Sequence, residues 1–110
     1  MNIDLLRTAA RTIFRNWFGE GDVSNCYLER WEPVNIELRN QQFVNIYLPG
    51  SWAATPLPPN AKFYAEGDGR HSNLSSILNG DMVRYRVSTV EDLTYVVSLM
   101  APRIGKKPQP

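Results

Sequence analysis

Hydrophobic positions change period three times along this chain, and each change marks an element. Ile3, Leu6, Ala9, Ala10, Ile13, Phe14, Trp17 and Phe18 recur every three or four residues, the stripe of an α-helix lying on a core. Asn2 stands where a cap would accept a backbone N–H, and Gly19 where the helix would stop. Beyond the Gly19-Glu20-Gly21-Asp22 turn, residues 23–31 read as one strand, interrupted after Trp31 by Glu32-Pro33. Val34, Ile36 and Leu38, then Val44, Ile46 and Leu48, alternate with their neighbours. That is period two, and residues 39–42 turn the chain between them, so the pair predicts a β-hairpin.

Residues 49–59 break the alternation, because Pro49, Pro56, Pro58 and Pro59 withhold ladder donors. The segment is expected to be a long loop, with Trp52 and Leu57 as its candidate contact residues. The competing reading folds Trp52 back to close the edge of the core. Residues 62–66 read as a short strand, residues 67–71 as a second loop, and Ser72 or Asn73 as the cap of a helical turn through Leu78. Asn79-Gly80-Asp81 then launches a strand with Val83, Tyr85 and Val87 on one face and Met82, Arg84 and Arg86 on the other. After Glu91-Asp92, residues 93–100 read as a second strand, apolar on both faces and therefore central. These two are expected to form an antiparallel hairpin on which the rest packs.

The 110 residues fit one domain, here residues 1–102, followed by a basic, Pro-containing tail at 103–110. The fold class is α+β, with the N-terminal helix covering one face of a mostly antiparallel sheet or a partly open small barrel. A hydrophobic share of 43% with 21% charged residues argues against overall disorder. The apolar runs are too short to span a bilayer.

The net charge of +1 hides a pattern. Residues 1–19 carry +2, from Arg7, Arg11 and Arg15 against Asp4, and Arg103, Lys106 and Lys107 put +3 in the tail, which leaves −4 between. Basic ends around an acidic middle suit stacking on further copies or docking on an acidic partner. Arg7, Arg11 and Arg15, four apart, form a ridge along the helix. It is either an electrostatic contact to nucleic acid or to an acidic partner, or an ordinary solvated face.

Chemistry is sparse. The single cysteine, Cys26, forms neither an intrachain disulfide nor a cysteine-based zinc site, and the single histidine, His71, has only carboxylates such as Asp68 near it. Gly67-Asp68-Gly69 lacks the third glycine of a nucleotide-binding loop. Glu66, Asp68 and Asp81 are an acid/base set only if they converge, and their Gly-rich surroundings suit turn chemistry better. No enzyme, metal or cofactor is expected.

The order of a helix, then strands, then a Gly-Asp turn into two closing strands and a basic tail resembles the small head-to-tail joining and tail-completion proteins of tailed bacteriophages. Asp92-Leu93-Thr94-Tyr95-Val96-Val97 is similar to the closing strand of their tail terminators. The resemblance implies a non-enzymatic structural protein of the virion, present in the host cytoplasm before assembly, as a homo-oligomeric ring contacting neighbouring virion proteins. Trp52, Leu57, Arg103, Lys106, Lys107, Arg7, Arg11 and Arg15 are its interface candidates. A second resemblance covers residues 80–87, where Gly-Asp-Met-Val-Arg-Tyr-Arg-Val looks like the Gly-Asp strand of OB and SH3-like barrels. It implies single-stranded nucleic-acid binding through Arg84, Arg86 and Tyr47, with Trp31 or Trp52 nearby. A small phage-encoded inhibitor of a host protein is the third reading.

Overall fold

The computed structural model describes residues 2–24, 28–31, 33–65 and 81–104. These form helix α1 (Ile3–Phe18), strands β1 (Asp22–Ser24), β2 (Leu28–Trp31), β3 (Val34–Glu37) and β4 (Val44–Pro49), a 3-10 turn (Gly50–Trp52), β5 (Ala61–Tyr64), β6 (Met82–Val87) and helix α2 (Val90–Ile104). The strands make one antiparallel sheet in the order β1-β2-β3-β4-β6-β5. Its end strands do not pair with each other, so the fold is α+β with an open sheet rather than a barrel.

Alternation along the strands decides what each face meets. Val34, Ile36, Val44, Ile46, Leu48, Val83, Tyr85 and Val87 point to one side and are essentially buried. They share one core with Leu6, Ala10 and Phe14 of α1 and Leu93, Val96 and Met100 of α2, so both helices cover the same face. The other face holds a smaller buried cluster of Tyr47, Tyr64 and Met82, with Leu28 against it.

Helix α1 begins and ends where its sequence indicates. The Asn2 side chain accepts from the Asp4 N–H at 2.8 Å, and Gly19, at φ 80°, donates its N–H to the Arg15 carbonyl. The β3–β4 hairpin also forms as expected, Ile36 opposite Ile46.

Two expectations are corrected. Residues 23–31 are not one strand: β1 and β2 pair antiparallel, Ser24 opposite Leu28. Residues 93–100 are not a strand but belong to α2, and β6 pairs with β4 and β5 instead of with a closing strand. The apolar residues on both supposed strand faces are the stripe of a helix, with Leu93, Val96 and Met100 buried at spacings of three and four. The start of α2 is fixed by caps: Thr89 Oγ1 accepts from the Asp92 N–H at 3.0 Å, and Asp92 Oδ2 accepts from the Ser88 N–H at 3.1 Å. The helix includes Pro102 and runs to Ile104, two residues past the boundary drawn at 102. The strand expected at 62–66 is β5, which starts one residue earlier and ends two residues earlier.

Candidate interaction surfaces

The arginine ridge of α1 lies over β2, and what it meets there is Glu29. Glu29 is the one charged residue in the helix-covered layer of the sheet among the described residues, and it is 1% exposed. Arg11 Nε donates to its Oε1 at 3.0 Å, Arg15 Nη2 to Oε1 at 2.8 Å and Arg15 Nε to Oε2 at 3.0 Å. The Gly21 N–H adds a bond to Oε2 at 2.9 Å. A buried carboxylate needs such a set, since one left alone would be costly. Burial pushes the Glu29 carboxyl up, but the bonds from Arg15, Gly21 and Arg11 together outweigh it and hold the group below its ordinary value. The bond to Glu29 likewise raises Arg15. Gly21 is required here because a Cβ would come within 2.6 Å of the Arg30 carbonyl and 2.8 Å of both Glu29 Cγ and the Trp31 ring.

Trp31 closes this corner: its Nε1 donates to the Gly19 carbonyl at 2.8 Å, and its ring lies 5.4 Å from Phe14 and 6.3 Å from Phe18. Arg7 bonds to the Asn40 carbonyl at 2.7 Å and to Asp4 at 3.3 Å. The ridge therefore faces inward, onto partners within its own chain.

At the far end of the core the Pro-rich loop opens with the 3-10 turn. Trp52 and Leu57 are half-buried against the core, while Ala54, Thr55 and Pro56 between them are exposed. Arg103, in the last turn of α2, donates from Nη2 to the Ser51 carbonyl at 3.2 Å. The loop and the base of the basic tail thus meet. Lys106 and Lys107 lie outside the described residues.

The face away from the helices carries Arg84 and Arg86 on β6, with Tyr47 directly opposite Arg84 on β4 and Lys62 opposite it on β5. Arg84 Nη1 donates to the Tyr64 hydroxyl at 3.1 Å, and the Arg86 guanidinium lies 4.8 Å over the Phe43 ring. Beside it, Glu37, Phe43, Asn45 and Arg86 line an open cleft of about 600 Å³ near the β3–β4 turn, where Asn45 Nδ2 donates to Glu37 at 2.9 Å. Tyr47 is 3% exposed, and burial, followed by the nearby Glu37 charge, pushes its phenol above the ordinary range. Trp31 and Trp52 pack on the helix side, so the basic and aromatic platform expected of a strand-binding barrel is not assembled by these residues.

Asp81, exposed at the start of β6, accepts from the Gly50 N–H through its backbone carbonyl at 2.8 Å. Cys26, Glu66, Asp68, His71 and the turn expected near Ser72 lie outside the described residues. Among the described residues no three His, Cys, Asp or Glu side chains gather to hold a metal ion, and no helix is long and apolar enough to cross a membrane. Sequence reasoning missed Glu29. A lone acid within the Leu28-Glu29-Arg30-Trp31 run, beside an arginine ridge without another stated partner, was the available signal. Compared with protein-family models, with curated proteins and with solved structures, the chain matches none.

Proposed function

We propose that this chain is a non-enzymatic assembly protein, a subunit that joins copies of itself and neighbouring proteins in the connector or tail-end ring of a phage virion. The observation that carries the reading is the corner where the Pro-rich loop meets the end of α2. Trp52 and Leu57 anchor the loop on the core, leaving Ala54, Thr55 and Pro56 presented outward beside Arg103. Anchored ends with an exposed centre suit a contact surface, because little chain entropy is left to lose when a neighbour docks. Helix α2, which the basic segment 105–110 follows in sequence, ends at this corner. The lysines of that segment are complementary to the chain's acidic middle. The virion setting rests on the resemblance in element order, now without a closing strand, since residues 92–97 lie in α2.

The test is the mass of the purified protein by light scattering and electron microscopy, with and without residues 105–110. A closed oligomer that loosens on truncation, while the thermal midpoint of the domain stays put, supports the reading. A full-length protein that stays monomeric at high micromolar concentration overturns it.

The second reading, single-stranded nucleic-acid binding, is favoured by Lys62, Arg84 and Arg86 sharing one sheet face. It ranks lower because the burial of Tyr47 and Tyr64 leaves neither ring available to stack on a base. Salt-sensitive binding abolished by Arg84→Ala with Arg86→Ala would reverse the ranking.

A further inference from the structure

The sheet is open, and its two edges differ. At one end, β1 exposes Val23, 51% accessible, and carries Asp22, with Glu20 just before it. At the other end, β5 exposes Phe63, 49% accessible, and carries Lys62. Val23 lies opposite Glu29 on β2 and Phe63 opposite Val83 on β6, which places both apolar side chains on the helix side of the sheet. Among the described residues these are the only large apolar side chains in strands that stand so far out; the comparable Leu5 and Val90 are on helices.

The backbone of β5 is turned to receive a neighbour. The Arg86 N–H donates to the Asn60 carbonyl at 3.0 Å. In an antiparallel ladder bonded and non-bonded pairs alternate, so the Lys62–Arg84 and Tyr64–Met82 pairs are the bonded ones that follow. The N–H and C=O of Phe63 then point away from β6, as does the C=O of Ala61, whose N–H already reaches the Pro58 carbonyl at 3.0 Å. No described strand lies beyond them.

From these observations we propose that the β5 edge of one copy pairs with the β1 edge of a second copy, continuing the sheet from subunit to subunit. This rests on the assembly reading above and specifies its contact. In the antiparallel register that sets Lys62 opposite the acidic Asp22 and diagonal to Glu20, Val23 faces Ala61 and lies diagonal to Phe63 on the helix side of the joined sheets. Arg30, exposed opposite Asp22 within the chain, offsets part of that acidity, which is why Glu20 is included. The contact is heterologous: an acidic edge does not bind itself, but it binds a basic one, and repetition closes a ring when the twist between copies allows. The Pro-rich loop runs directly into β5 and widens the junction, which a four-residue strand alone would leave small.

The experiment is a charge swap read by oligomeric mass. Lys62→Glu alone, or Glu20→Lys with Asp22→Lys, puts like charges across the junction and is expected to weaken assembly about tenfold or more. All three substitutions in one chain, or an equimolar mixture of the two variants, restore it. These side chains are exposed, so far-UV circular dichroism and the thermal midpoint should stay unchanged. Amide exchange is the second measurement, with the Phe63 N–H gaining protection in the assembled form. Assembly indifferent to the swaps, with Phe63 unprotected, sinks the edge contact and leaves the assembly reading standing. A wild-type monomer at high micromolar concentration removes both.

Discussion

The two faces of the sheet are made by alternate residues of the same strands, yet they are held in different ways. Facing the helices, Ile36, Ile46, Val83 and Tyr85 are sealed beneath α1 and α2, with Glu29 as the one charge among the described residues there. Facing away, Asn45 bonds to Glu37, Arg84 bonds to Tyr64 and lies over its ring, and Arg86 lies over Phe43. The first face draws its stability from area removed from water; the second relies on local pairs, most of them wet and individually weak. Outside the buried cluster of Tyr47, Tyr64 and Met82, the fold therefore tolerates change on the outer side of a strand and not on the helix side. This asymmetry is what leaves the outer face and the edges free to carry function.

The largest test of that contrast is Phe14→Ala. The ring is fully buried against Trp31 and the sheet, so its removal is expected to cost about 3–5 kcal/mol in urea unfolding. A loss under about 1 kcal/mol would mean that the helix layer is not the stabilising face.

Next is Glu29→Gln, which keeps the shape but removes the charge that three N–H donors of Arg11 and Arg15 address. The expected cost is roughly 1–3 kcal/mol at neutral pH. The folded-state carboxyl sits below its ordinary value of 4.5, so its contribution is present above that pH and is lost as pH falls through the lower folded value. The variant should therefore lose part of the acid limb of the stability profile. An unchanged limb would show that Glu29 is not held as charged.

On the opposite face, Arg86→Ala removes an exposed guanidinium from Phe43 and should cost only about 0.5–1 kcal/mol. A loss above about 2 kcal/mol would erase the distinction between the faces. Smallest is Tyr85→Phe. The buried Tyr85 hydroxyl finds no hydrogen-bond partner among the described residues, and burial, with Tyr95 adding to it, pushes the phenol up to about 12. Removing it should leave stability unchanged or slightly raised, and the Tyr85 absorbance should not titrate in the ordinary tyrosine range.

Helix α1 was legible because its stripe, its Asn2 cap and its Gly19 stop agree on one answer. Helix α2 was not, because Thr94, Val96 and Val97 are β-formers and Tyr95 and Leu99 fill the positions between, imitating a central strand. The Thr89 and Asp92 caps carried the correct signal. Of the interaction residues, the sequence placed Arg84 and Arg86 on one face but could not say that Arg11 and Arg15 belong to Glu29. That pairing depends on how α1 lies across β2, a matter of tertiary packing. Nor could alternation say that Tyr47 is sealed while Lys62 is exposed.

The strand order β4-β6-β5 also governs how the chain comes off the ribosome. The contacts among α1, Gly21, Glu29 and Trp31 are complete once residue 31 has emerged, so this corner can form early and locally. Strand β4, by contrast, is finished at Pro49 but has one edge without its partner until β6 arrives at Met82–Val87, and β5 has no strand to join before then. During that interval Val44, Ile46 and Leu48 lie in a half-built sheet, the condition in which nascent chains stick to one another. Slow synthesis between residues 50 and 82 would prolong the exposure. A chaperone that shields the unpaired side of β4 would act on this protein before it acts on any finished copy.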